Sequence, residues 1–335
     1  MTIQPSIQIE IMLPDSAQVW PSIPQGGAST LFDFAQVDNT IGEIIVKMFN
    51  SGSPISDQGV TISTEWIEGS GGHNHSGGND LAQPPQNIMG WIVDIAEADS
   101  AQGRIETVTN EDGEIRLRYR APEFGGKIRM VAQTNINRDT LFADDTLAVK
   151  VPGLVLLPNG NNLSKVGGTP RHHGPRVDSR YQNNRSPDNN HFGTQEFVDS
   201  LISLANNWAN LVASDSEQDD RQVPLNINDL SLPNGGKFDL EGRWLTRLHR
   251  AAHDYHRVGR DADIRTTRKF PIGNGRNGVL LTRLLDGNGT PVLDTEGNEV
   301  YVNRAFQRQI ILHGANRKSG IHGSGKNEHY HVYFY

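Results

Sequence analysis

Two segments of the chain carry residue types that do chemistry together. HDYHRVGRDAD over 253–263 holds His256 and Asp263, seven positions apart across Gly259, and the chain closes on HYHVYFY, with His329 and His331 one residue apart. Two imidazole nitrogens and one carboxylate oxygen are the donor set of a catalytic zinc, which keeps three protein ligands and one open position. Such a shell leaves a net charge of about +1, so water at the open position can lose a proton near neutral pH. Three of the four side chains would bind. The fourth, an imidazole titrating near neutrality, would act first as general base and then as acid. Gly259 lets the chain turn between His256 and a short alternating strand, Asp261–Arg265, on which Asp261 and Asp263 point to the same side. A terminal strand is predicted at 330–335, and extended backbone reaching back to His329 puts His329 and His331 on one face. Spacing alone leaves open which of these two binds and which moves protons.

The elements that must position these residues lie in a chain of 335 residues, long enough for two domains. With 35 Gly, 17 Pro and 35% apolar residues, it favours short strands and loops over helical bundles. The formal charge of −8 is unevenly spread: residues 1–150 hold 9 basic and 20 acidic side chains, residues 151–335 hold 22 and 19. Ten of the 12 histidines fall in the second part. Neither part is basic enough for nucleic-acid binding, and the split implies two units with different jobs. The absence of Cys excludes disulfides and thiolate metal sites. No apolar run is long enough to predict a transmembrane helix, and residues 1–20 lack the pattern of a secretory leader.

Runs rich in Val, Ile and Thr predict strands at Ile7–Leu13, Glu43–Phe49, Val60–Ile67, Arg104–Thr109, Glu114–Arg120, Lys127–Gln133 and Thr146–Leu157. Asn110–Gly113 carries the signal of a hairpin turn between two of them. His73 and His75 sit in a polar loop with no third donor at a useful spacing, and His172-His173 in an Asn/Gly/Pro/Arg-rich join; both pairs read as solvated. Phe197, Leu201, Leu204, Trp208 and Leu211 recur at helical spacing, with Thr194 as the N-cap and Trp208 in the core. Asn228-Asp229 and Pro233–Gly236 read as turns. Leu240–Tyr255 fits a helix or a loop ordered around a metal. Val279–Leu285 and Glu299–Val302 predict strands around DGNGTPVLDTEGN, where Pro291 occupies the position an EF-hand loop gives to Gly. Ala305–Leu312 is a short helix or strand, and His313 and His322 read as structural.

The ordered set His191-Phe192-Gly193-Thr194, Asn228-Asp229-x-Ser231-Leu232-Pro233-x-Gly235-Gly236-x-Phe238-Asp239, His256-Arg257-Val258-Gly259 with Asp263-Ile264, and His329-Tyr330-His331-Val332 resembles the metallopeptidase group of lysostaphin, the D-Ala-D-Ala peptidases and the hedgehog signalling domain. It most resembles the penicillin-insensitive murein endopeptidases, over roughly residues 185–335. The resemblance implies an antiparallel sheet flanked by helices, zinc held by His256, Asp263 and His331, and His329 as catalytic base. His249 and His253 also precede the glycine, but only His256 has an Asp seven residues on; Arg260 stands seven after His253. His253 or His191 would supply a second donor to a tetrahedral oxyanion. TNEDGEIRLRYRAPEFGG is similar to the late strands of bacterial Ig-like modules.

The expectation is therefore an all-β Ig-like sandwich over 1–157, a linker over 158–190 and an α+β metallopeptidase domain over 191–335. Its activity would be zinc-dependent hydrolysis of an amide bond in peptidoglycan peptides, in the periplasm or outside the cell. The first domain would dock to the envelope or to a protein partner. The rivals are a zinc-containing binding protein, as in the hedgehog branch, a structural or delivery component, and a peptidase acting on other peptides.

Overall fold

The computed structural model describes residues 7–14, 17–22, 41–69, 90–94, 101–165, 190–213, 224–237, 254–265, 282–283, 288–291, 293, 297, 301–302, 304–315, 320–322 and 329–333. The fold is rich in β-structure and divides into two units. Described residues up to Pro152, with 234–237 and Asp254, form the first; those from Gly153 to Pro233 and from Tyr255 onward form the second.

The first unit has two sheets around one core. One sheet runs Ile7–Met12, Ile41–Asn50, Glu114–Arg120, Trp91–Asp94, Ala101–Gln102. The other runs Gln18–Val19, Asp139–Val149, Gly126–Ile136, Gly59–Gly69, Arg104–Val108. Alternation decides which side chains meet. Ile44, Val46, Met48, Leu117 and Tyr119 from the first sheet join Ile62, Ile128, Met130, Leu147 and Val149 from the second in one buried cluster. The turn at Asn110–Gly113 forms: the Asn110 Oδ1 accepts from the backbone N–H of Asp112 and Glu114, and Gly113 takes a φ of +71°. It does not close a hairpin. Arg104–Val108 pairs with Gly59–Gly69 and Glu114–Arg120 with Ile41–Asn50, so the turn carries the chain from one sheet to the other. The first unit also takes in a segment distant in sequence. The Lys237 N–H bonds the Glu123 carbonyl, its ammonium pairs with the Glu123 carboxylate at 3.1 Å, and the Val151 N–H bonds the Asn234 carbonyl. Gly236 sits at φ +79°, where a Cβ would lie 2.4 Å from the Gly125 nitrogen.

In the second unit a five-stranded sheet runs Leu163–Lys165, Leu225–Asp229, Asp261–Arg265, His329–Tyr333, Gly320–His322. The first pair is parallel and the rest antiparallel. Leu154–Leu156, expected as the end of the last strand of the first domain, pairs here with Phe192–Thr194, and Leu163–Lys165 lies within the expected linker. Two helices, α1 (Gln195–Ala213) and α2 (Arg304–Leu312), contribute to the core. Thr194 caps α1, its hydroxyl accepting from the Phe197 N–H at 3.3 Å. Phe197, Leu201, Leu204 and Trp208 of α1 and Phe306 and Ile310 of α2 bury against Ile227, Ala262, Ile264, Tyr330 and Val332 of the sheet. Trp208 packs edge-on against Phe306, and Phe306 against Tyr330, at centroid distances of 5.2 and 5.1 Å. Each such side chain is worth about 1.5–3 kcal/mol of burial.

Candidate metal centre

The same alternation that builds this core sorts the chemistry onto the other face. In Asp-Ala-Asp-Ile, residues 261–264, Ala262 and Ile264 belong to the core, which leaves Asp261 and Asp263 on the opposite side. In His-Tyr-His-Val-Tyr, Tyr330 and Val332 are core residues, and His329, His331 and Tyr333 face away from it. Register then sets Asp263 directly opposite His331, with Arg265 opposite His329 and Asp261 opposite Tyr333. His256 arrives from a 3-10 turn, Asp254–Val258. Gly259 brings it back with a φ of +71°, and a Cβ there would meet Leu154 Cδ2 at 2.4 Å. The Gly259 carbonyl accepts from the Thr194 N–H at 2.8 Å, which ties this turn to the start of α1.

His256, Asp263 and His331 are all buried, and their donor atoms lie within 4.8 Å of one another. The Asp263 Oδ1 is 3.4 Å from His256 Nε2, 3.8 Å from His331 Nδ1 and 3.3 Å from His329 Nε2. Among the described residues no group stands in hydrogen-bonding geometry to this oxygen. Donors bound at about 2.0–2.1 Å to a tetrahedral zinc stand about 3.3–3.4 Å apart. The Asp263–His256 spacing matches such a pair, while His331 Nδ1, at 3.8 Å from the same oxygen, would close in by a few tenths of an ångström on a shared cation. The rings are held by stacking: His256 on His331 at 5.0 Å and 15°, and His331 on Tyr333 at 4.4 Å and 24°. His329 differs from the three grouped donors in exposure, since a quarter of its side chain reaches solvent.

The electrostatics of the metal-free site follow from burial and crowding. Burial opposes charge on His256, but the carboxylates of Asp263, Asp261 and Asp229 outweigh it and raise the imidazole to about 9. Burial likewise opposes charge on Asp263, yet His256 and His329 hold its carboxyl below the usual range. Asp261 is fully buried and its two carboxyl oxygens have no hydrogen-bond partner among the described residues; burial pushes this carboxyl well above the usual range.

Of the residues expected at the site, His256, Asp263, His331 and His329 come together. His191 is fully buried with Nε2 3.0 Å from the Ile227 carbonyl. That contact commits the nitrogen to holding the Leu225–Asp229 strand and not to an oxyanion. His253 lies outside the described residues, as do His249, the pairs His73/His75 and His172/His173, and most of the Leu240–Tyr255 segment. His313 pairs with Asn207 at 2.8 Å, and His322 stands opposite His329 in register. Three buried groups, Asn190, Asn228 and Asp229, were not among the expected site residues, although Asn228-Asp229 open one of the four motifs. Asn228-Asp229 had the composition of a turn but lies on a strand whose five residues are all buried.

No family model matches the chain, and no curated protein does. Among solved structures, a conjugative transposon lipoprotein of Bacteroides eggerthii is similar at 14% identity over 42% of this chain and 95% of that one, with a TM-score of 0.23. A conjugate transposon protein of Bacteroides vulgatus is similar at 14% identity over 45% of this chain and 90% of that one, with a TM-score of 0.24. Likenesses at this level carry no argument about fold or activity.

Proposed function

We propose that the chain is a zinc-dependent peptidase that hydrolyses an amide bond in peptidoglycan peptides. The observation that carries the reading is the convergence of His256, Asp263 and His331, three buried donors whose atoms lie within 4.8 Å, beside a partly exposed His329. Murein as the substrate rests on the four motifs that resemble the penicillin-insensitive endopeptidases. It would place the protein outside the cytoplasm; no helix among the described residues is long and apolar enough to cross a membrane. The two-layered first unit would be an Ig-like module docking to the envelope or to a protein partner.

Bound at these residues, zinc would polarise the scissile carbonyl and lower the pKa of water. The chain's own part is to hold and to move protons. Stacking between His256, His331 and Tyr333 fixes two donor rings before substrate arrives. His329 reaches solvent, lies beside Asp263 and can take a proton from water and return it to the leaving amine.

The test is metal content and murein cleavage of the purified protein beside His256→Ala and His329→Ala. The reading expects about one zinc per chain, metal loss in the first variant, and metal kept with activity lost in the second. Zinc without cleavage of murein would move the assignment to a binding or delivery protein, or to a peptidase of other peptides. A metal-free wild type purified without chelators would remove the site altogether.

A further inference from the structure

We propose that Asp261 is a positioning residue of this centre: its carboxyl group accepts, through an ordered water, from the ring N–H of His256 that faces away from the cation, and so holds that imidazole in its binding pose. The inference rests on the zinc reading above and adds a residue to it.

Placement is the first argument. Asp261 shares the site face of its strand with Asp263, because Ala262 and Ile264 belong to the core on the other face. Register sets it opposite Tyr333. Residues directly opposite on antiparallel strands carry their Cβ atoms about 4.5–5.5 Å apart. Tyr333 belongs to a stack of rings that runs through His331 to His256. Asp261 therefore stands against the stack that carries two of the three grouped donors.

The second argument is the cost of keeping an acid there. Asp261 is fully buried, and neither of its carboxyl oxygens has a hydrogen-bond partner among the described residues. Burying a polar group without a hydrogen bond destabilises a fold. Such groups in native proteins are satisfied by protein or by ordered water, and the exceptions call for a reason beyond packing. An apolar residue would serve the strand better at this position.

The third argument is what a ligating imidazole needs. His256 Nε2 lies 3.4 Å from the Asp263 Oδ1, so Nε2 is the nitrogen set for the cation and Nδ1 keeps the ring proton. Histidines that bind metals pass their other N–H to a carboxylate, a carbonyl or a water, which fixes the ring. Asp261 and His256 also act on each other. Burial opposes charge on His256, and Asp261 is one of the carboxylates that outweigh it. Burial raises Asp261, and among its charged neighbours His256 does most to oppose that. No direct hydrogen bond joins the two, and one water spans the gap.

The experiment is zinc affinity of the full-length protein by competition with a chromophoric chelator, comparing wild type, Asp261→Val and Asp261→Asn. It is paired with melting temperatures of the chelator-treated proteins and visible spectra of the cobalt-loaded ones. Outer partners of metal ligands typically contribute about 10–100-fold in affinity. Asp261→Val should lose that much and shift the cobalt bands, because the His256 ring is no longer held. Its metal-free form should melt no lower than wild type, since an unbonded buried acid has been removed. Asp261→Asn keeps an acceptor oxygen on the same frame and should lose less affinity. Wild-type affinity and spectrum in Asp261→Val would overturn the proposal. A metal-free Asp261→Val that melts well below wild type, or does not fold, would make Asp261 a structural residue and overturn it too. A loss in Asp261→Asn equal to that in Asp261→Val would overturn the hydrogen bond as its means. A wild type that binds no zinc would instead overturn the reading on which the inference rests.

Discussion

At the scale of residues, the site is defined by competition between burial and charge. In the metal-free protein His256 keeps its proton up to about 9, because three carboxylates surround it. Zinc must displace that proton, so binding should strengthen by up to about tenfold per pH unit as pH rises from near 6.5 to 9. Chelator competition across that range checks it, and a flat profile would contradict it. Stability of the metal-free protein should move the other way. A raised imidazole pKa stabilises the fold fully below its unfolded value of 6.5, and that contribution is lost as pH climbs through about 9. Melting temperatures of chelator-treated protein between pH 6 and 10 should therefore fall toward the alkaline end. That His256, Asp263, His329 and His331 could meet was legible in the sequence, because each pair lies within one short segment and strand alternation does the rest; which of them would bind came only from the resemblance. Asp229 was not legible in the same way. Its burial depends on Asn190, far away in the chain, and a polar Asn-Ile-Asn-Asp run reads locally as a turn.

At the scale of elements, two joints hold the site to the core. Thr194 caps α1, and the Gly259 carbonyl bonds the Thr194 N–H, so one residue fixes both the helix start and the turn after His256. Thr194→Ala should cost about 0.5–2 kcal/mol in unfolding free energy, read from denaturant melts. Gly259→Ala should do more damage. Its φ of +71° disfavours a side chain, and the added Cβ would press on Leu154 and Gly193. Both melting temperature and zinc content should drop, and a variant that melted and bound like wild type would show that the turn is not constrained as described. The helix with its cap and most of the sandwich strands could be placed from periodicity. Asp139–Val149 could be only half placed: its first seven residues include three Asp and are largely exposed, so only the buried end around Leu147 carried a strand signal. The turn at Asn110–Gly113 shows a different limit. Its local chemistry dictates that the chain reverses, but not whether the next strand pairs with the previous one or joins the other sheet.

At the scale of the whole molecule, the two hydrophobic clusters share no residue. The proposed metal donors His256, Asp263 and His331 all belong to the second unit. Calorimetry with zinc against chelator should therefore raise the transition of the second unit, by about 2.7 kcal/mol of stability at a hundredfold excess over Kd, and leave that of the first in place. A single transition moving as a whole would mean that the units unfold as one. The membership of residues 234–237 in the first unit has a consequence for how the protein is made. A chain emerges from its amino terminus, and its domains tend to fold in that order. Here Glu123, Phe124 and Val151 are synthesised long before Asn234, Gly236 and Lys237, and α1 is made in between. A nascent chain that has reached Ala213 already carries the described hydrophobic cluster of the first unit, yet lacks residues 234–237, which hydrogen-bond to it. The first unit to appear is completed only after translation of the second is well under way.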